Sequence, residues 1–276
     1  MALRTQIITS SLEVSCADSR FLSALSRYFN NANHRVAPEN HIALTVGFDG
    51  GVYRLPGGSK EISPEIAAEA AWEELASRLQ AALASWLQIR GLCLDGEGRR
   101  ILVLGEDGEV LRSLAVHCLS QDLDVSSATG VSLRSGLSIP YALPIEVSEN
   151  ALARLRQATG RDPSALKMHD EMGSVRCLVT PADFGRKWIA AEARIDEILL
   201  LTWNPGGWSG FGRRRNPWLL EHVLNACHIP AGADSSAKLR LVAEARRLAA
   251  STPATDLHLG HLEDAPPLLA GCLGCQ

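Results

Sequence analysis

Residues 104–114 read Leu-Gly-Glu-Asp-Gly-Glu-Val-Leu-Arg-Ser-Leu, a glycine-containing link between the apolar run 100–104 and a helical stretch at 114–119. A strand that passes through such a link into a helix N-terminus can hold a phosphate, because free backbone N–H groups point at the anion and the helix dipole favours its charge. Working loops of this kind read G-x-x-x-x-G-K-[ST], the lysine meeting the outer phosphates and the hydroxyl their magnesium ion. Gly105, Gly108, Arg112 and Ser113 are therefore the candidate phosphate-loop residues. Glu106, Asp107 and Glu109 stand against the single cation Arg112. Each carboxylate beside a triphosphate adds repulsion of about 1 to 4 kcal/mol, depending on the effective dielectric. Either the segment meets a phosphate through Arg112, or it is a strand-to-helix connection kept for folding, with Gly108 serving only the turn.

Residues 203–218 hold three of the six tryptophans and three consecutive arginines in a glycine-rich loop. Tryptophan and arginine are the residues that anchor interfaces, so Trp203, Trp208, Phe211, Arg213, Arg214 and Arg215 are candidate contacts to a protein or peptide partner. The arginines could equally meet an acidic partner or a phosphate. The alternative is a long loop whose rings cover a sheet edge before Asn216-Pro217 starts a helix. Cys272 and Cys275 form a C-x-x-C with only His258 and His261 nearby as further ligands, which is weaker than a four-ligand zinc pattern. His169-Asp170-Glu171 reads as a solvated turn. His117 and Cys118, on the helix after the glycine link, read as packing residues.

These groups need elements to position them. Residues 1–58 read as a small α/β unit: strands near 6–14, a helix at 19–29, and a hairpin of 41–47 with 52–55 around Asp49-Gly50-Gly51. Pro56-Gly57-Gly58 then breaks the chain, and a domain boundary is expected there. A helix over 63–90 follows, with Ser63 as N-cap, Pro64 at its first position, and Trp72, Leu75, Leu79, Leu83 and Trp86 as its buried stripe. Strands are expected at 100–104, 174–179, 194–202 and 256–259, and helices at 217–227 and 236–250. That alternation predicts an α/β or α+β core over 59–270, with 271–276 as a Gly/Cys tail.

The 276 residues carry a formal charge of -4, 46% hydrophobic residues and 23 glycines, which excludes a disordered or collagen-like chain and offers no global attraction for nucleic acid or an anionic membrane. The longest aliphatic run, 198–201, is far short of the roughly 20 residues of a membrane span. The first residues lack the apolar core of a signal peptide, and a cytoplasmic location is expected. Seven cysteines, five of them scattered singly, read as reduced thiols rather than a disulfide framework.

The link at 104–114 resembles the loop of the HPr kinase/phosphorylase-like family, a P-loop variant related to phosphoenolpyruvate carboxykinase, which reads L-x-G-P-S-G-x-G-K-S-T-L. In an ungapped frame Gly105, Gly108, Ser113 and Leu114 match, while Val110 replaces a glycine, Leu111 the lysine and Arg112 the first hydroxyl. Ala128 and Thr129 stand where the family has two acidic residues. Residues 140–145, 195–201 and 256–259 are similar to the family's later strands. The resemblance implies a P-loop kinase-like core with a small N-terminal unit. The missing lysine, hydroxyl and carboxylates remove stabilisation worth about 3 kcal/mol each. The expectation is a pseudokinase-like binding, regulatory or scaffold protein without a cofactor, loosely tied to peptide-modification or surface-polymer gene sets. The alternative is a divergent kinase that binds ATP and magnesium through Arg112, Ser113 and Asp122 or Asp124. Homo-oligomerisation is left open.

Overall fold

The computed structural model describes residues 1–7, 10–29, 33–34, 38–58, 60–83, 86–163, 166–169, 175–212, 218–229 and 234–274. It is a mixed α/β structure of the α+β kind, with several sheets and seven α-helices among the described residues.

In the N-terminal part, β1 (Ala2–Ile7) pairs antiparallel with β2 (Ser10–Ser15), which follows the alternation of Leu12 and Val14 facing inward. The helix α1 (Ser19–Ser26) opens on Asp18, whose carboxylate accepts from the Arg20 N–H. β3 (Asn40–Thr45) then pairs parallel with β2, so it is not half of the expected hairpin. The hairpin is formed instead by β4 (Gly47–Asp49) and β5 (Val52–Arg54), with Gly50 and Gly51 at φ 59° and 81° in its turn.

The helix α2 (Pro64–Ala82) starts as its sequence dictates: the Ser63 hydroxyl accepts from the N–H groups of Glu65 and Ile66, and Pro64 lacks the donor that would have gone unpaired. It stops eight residues before the expected end. Leu87–Ile89 is a strand, β6, buried along its whole length. Pairing on both sides outweighs the helical preference of Leu87 and Gln88. Leu75, Leu79, Leu83 and Trp86 pack against Phe21, Leu25, Leu44 and Tyr53, so α2 shares one core with the residues before the Pro-Gly-Gly break.

The further elements that build the sheets and their helical cover are β7 (Leu92–Gly96), β8 (Arg99–Leu104), α3 (Gly108–Ser120), β9 (Asp124–Ser127), β10 (Val131–Arg134), β11 (Leu137–Pro140), β12 (Ile145–Ser148), α4 (Glu149–Thr159), β13 (Leu166–His169), β14 (Val175–Val179), β15 (Glu197–Trp203), β16 (Gly210–Phe211), α5 (Leu219–Ala226), β17 (Cys227–His228), α6 (Ser235–Ser251), β18 (Ala254–Leu259) and α7 (Ala265–Leu273), beside three two-residue strands and two short 3-10 turns. The six-stranded sheet runs β9-β7-β8-β15-β18-β16. Its strands β8, β15 and β18 are parallel and end at the same edge. Along β8 the side chains alternate strictly. Ile101 and Val103 join α3, α4 and α7 in one core, and Leu102 and Leu104 join α5 and α6 in another. A strand buried on both faces reads as an unbroken apolar run for that reason.

A second sheet, β11-β10-β6-β17, and a third, β12-β14-β13, flank the central one. The helix α7 buries Leu269 and Leu273, so residues 271–273, expected as tail, are helix. Its end, Gly274, sits at φ 80°. No helix among the described residues is long and apolar enough to cross a membrane.

Candidate functional site: the strand–helix junction and the tryptophan loop

The C-terminal ends of β8, β15 and β18 lie side by side, and in open α/β sheets this is the edge where ligands bind. Three links leave it: Gly105–Asp107 from β8, Asn204–Ser209 from β15 and Gly260–Asp264 from β18. Neighbouring strands are about 4.8 Å apart, so the three links share an area about 10 Å across.

The first link is short. The helix α3 begins at Gly108, six residues earlier than expected, leaving only Gly105, Glu106 and Asp107 between strand and helix. Asp107 causes this. Its carboxylate accepts from the N–H groups of Glu109 at 2.8 Å and Val110 at 3.2 Å. Those are two of the donors that a helix N-terminus leaves free, and they are the donors a phosphate would take. The chain's own anion stands in the anion's place. Leu111, where the resembled loop has its lysine, is buried in the core beneath the sheet edge and limits the room at Gly105, whose Cβ would lie 3.5 Å from the Leu111 Cδ2.

The four candidate loop residues divide. Gly105 and Gly108 stand at the junction, and Arg112 folds back along the first turn, where a Cβ on Gly108 would lie 3.3 Å from its Nη1. The Arg112 Nε is buried without a hydrogen-bond partner. Ser113 is in the second turn and buried, lining a tight recess with Val116, His117, Val147, Ala151, Leu152 and Leu155. It therefore packs toward α4. That recess leaves no room for a water molecule, let alone the roughly 300 Å³ at which ligand pockets begin.

The acids of the kinase alternative are elsewhere. Asp122 follows the end of α3 and Asp124 opens β9, and by helix rise they are about 20 Å from Gly108. Both are engaged by arginines. Arg161 donates to the Asp122 carboxylate at 3.2 and 3.0 Å, and Arg186 donates to the Asp122 carbonyl at 2.7 Å and to the Asp124 carboxylate. Ala128, where the resembled family carries an acid, is buried in the core. Metal-holding carboxylates are thus not brought to the junction by these positions.

No family model and no curated protein matches the chain.

The tryptophan loop resolves into two behaviours. Trp203 and Phe211 are half-buried and pack on the core around α3 and α7, which is the sheet-covering role. Trp208 is 63% exposed, with its ring 5.5 Å from that of His258. Beneath it the loop is tightly tied. The Ser209 hydroxyl donates to Asp264 at 2.6 Å and accepts from the Gly260 N–H at 2.9 Å, and Gly206 and Asn204 donate to the carbonyls of Gly260 and Leu259. Gly207 and Gly260 approach so closely that a Cβ on Gly260 would lie 1.9 Å from the Gly207 carbonyl oxygen. Arg213, Arg214 and Arg215 lie outside the described residues, as do Asp170, Glu171 and Cys275.

Cys118 and His117 fill out the packing reading. Burial pushes the Cys118 thiol up and the His117 imidazole down, the second against the pull of Glu263. Both shifts favour the neutral forms, the opposite of a thiolate–imidazolium pair.

Sequence reasoning passed over three features. Asp107 reads by charge alone as repulsive, yet an Asp just before a Gly-Glu-Val helix start is also a capping signal. The serine–glycine ties under Trp208 have no local signature. The third is Arg100, 2% exposed, whose Nε and Nη2 hold the Asp95 carboxylate while Nη1 donates to the Ser138 carbonyl. It stands at the head of a strand-like run, where an exposed arginine is the ordinary expectation.

Proposed function

We propose that this protein is a member of the HPr kinase-like group whose nucleotide site has closed, and that it acts by binding another protein or peptide rather than by transferring phosphate. The observation that supports this is the Asp107 cap: a carboxylate hydrogen-bonded to the Glu109 and Val110 N–H groups occupies the donors a phosphate needs. A three-residue link cannot also wrap around a triphosphate, and the buried Leu111 supplies no cation. The order strand, link, helix in a partly parallel sheet supports the reading, and the shortness of the link is where it departs from the resembled loop.

Trp208 is the natural contact point under this reading. An exposed indole on a tied loop loses little conformational freedom on binding, which is how aromatic anchors contribute most.

Calorimetry with ATP and magnesium tests the closed site: no heat of binding is expected up to millimolar nucleotide, and a dissociation constant in the low micromolar range overturns it. Affinity capture with the full chain and with Trp208→Ala tests the contact, with partner recovery expected to fall in the variant.

A further inference from the structure

Eight large hydrophobic side chains stand exposed among the described residues, and four of them lie close in sequence two by two, at the start of α2 and on α6, helices of opposite charge. On α2 and its approach, Ile62 is 81% and Ile66 53% exposed. Ile66, Glu69, Ala70 and Glu73 follow the i, i+3, i+4, i+7 spacing of one helix face. On α6, Leu239 is 71% and Val242 39% exposed. Leu239, Val242, Ala243 and Arg246 follow the same spacing, flanked by Lys238, Arg240 and Arg247. This stripe is separate from Leu241, Ala245 and Leu248, which α6 buries against the sheet.

Among the described residues neither face is electrically balanced. Glu69 and Glu73 are one turn apart and form no ion pair among the described residues; burial, then Glu73 and Glu146, hold the Glu69 carboxyl above its ordinary range. Lys238 and Arg246 likewise form no ion pair, whereas Arg247 is held by Glu244 and Arg240 lies near Asp234. Each face thus has an aliphatic pair beside uncompensated charge, acidic on one helix and basic on the other.

We propose that the α6 face of one copy of this chain docks on the α2 face of a second copy, Leu239 and Val242 meeting Ile62 and Ile66 while Lys238 and Arg246 meet Glu69 and Glu73. Complementary potentials fix partner and register, and the aliphatic contacts supply the burial. Two helix faces cover less than the roughly 1,200 Å² of a standard interface, so the association is weak and reversible. It is also sensitive to salt, which screens exposed charge over about 10 Å at 0.1 M. The two faces differ, so two copies use both contacts about a two-fold axis or each copy passes its second face onward.

Sedimentation of the full chain tests this. At low salt and high micromolar concentration the mass is expected above the 29.7 kDa of one chain, falling to it in about 0.5 M salt, where screening shortens to about 4 Å. The double variants Glu69→Lys/Glu73→Lys and Lys238→Glu/Arg246→Glu should each be monomeric at low salt with unchanged circular dichroism. Mixed in equal amounts they should associate again, because each supplies the opposite charge to the other. A wild-type chain that is monomeric throughout overturns the proposal. So does association that neither reversal weakens, or two reversed variants that fail to associate on mixing.

Discussion

Asp107 and Glu109 are joined by a 2.8 Å hydrogen bond from the Glu109 N–H to the Asp107 Oδ1, and that bond sets where α3 begins. Replacing Asp107 by alanine removes the acceptor for two N–H groups. It should lower stability by about 1 kcal/mol. Urea unfolding measures the loss, and Asp107→Asn, which keeps an acceptor, should recover most of it. If alanine instead opens a nucleotide site that calorimetry detects with ATP, the cap is the gate and the closed state is reversible.

The Arg100–Asp95 pair spans the turn in which Glu97 and Gly98 sit at φ 45° and 78°, and Ser126 donates to the same carboxylate at 2.6 Å. Removing one partner leaves a buried charge. Asp95→Ala should cost about 3–5 kcal/mol, read as a shift in the denaturant midpoint. Arg100→Met removes the buried charge itself, and should cost less. Equal losses from the two variants would show that charge burial is not the dominant effect.

Gly260→Ala places a methyl group inside the Gly207 carbonyl. The link that carries Trp208 must move to accept it, at a cost of about 1–3 kcal/mol. Collisional quenching of fluorescence, with Trp208→Phe as the reference for the other tryptophans, should show the Trp208 ring becoming more accessible. Unchanged quenching would mean that the glycine contact does not hold the loop.

His117 titrates below its ordinary value of 6.5 because burial disfavours the imidazolium. Between the two values the unfolded chain binds more protons than the folded one, so stability falls as pH drops through about 6.5 toward the folded value. Above that window the group has no effect. The urea midpoint followed from pH 8 to 5 should fall with a component that His117→Gln removes.

Much of the fold was legible locally. Ser63-Pro64 marked the start of α2, Gly50-Gly51 marked a turn, and the run at 100–104 marked a strand buried on both faces. The misreading at Leu87–Ile89 has a non-local cause. Leu87–Ile89 continued a helical stripe by spacing, yet it is a strand because β10 and β17 pair with it on either side. The partners are more than thirty residues away in the chain, so no window around Leu87 contains the information. Trp203, Trp208 and Phe211 look alike in sequence; only the packing of two of them on the core that the sheet shares with α3, α4 and α7 separates covering rings from an exposed one.

At the junction, residue types alone determined that the lysine of a phosphate loop is missing and that Glu106, Asp107 and Glu109 crowd the link, since charge is a property of composition. Tertiary structure decided what those acids do. A carboxylate three bonds from its backbone can repel a ligand or satisfy its own helix, and the choice rests on where the strand delivers the chain. By ending at Leu104 against Leu200 of its neighbour, β8 aims Asp107 at the N–H groups of α3.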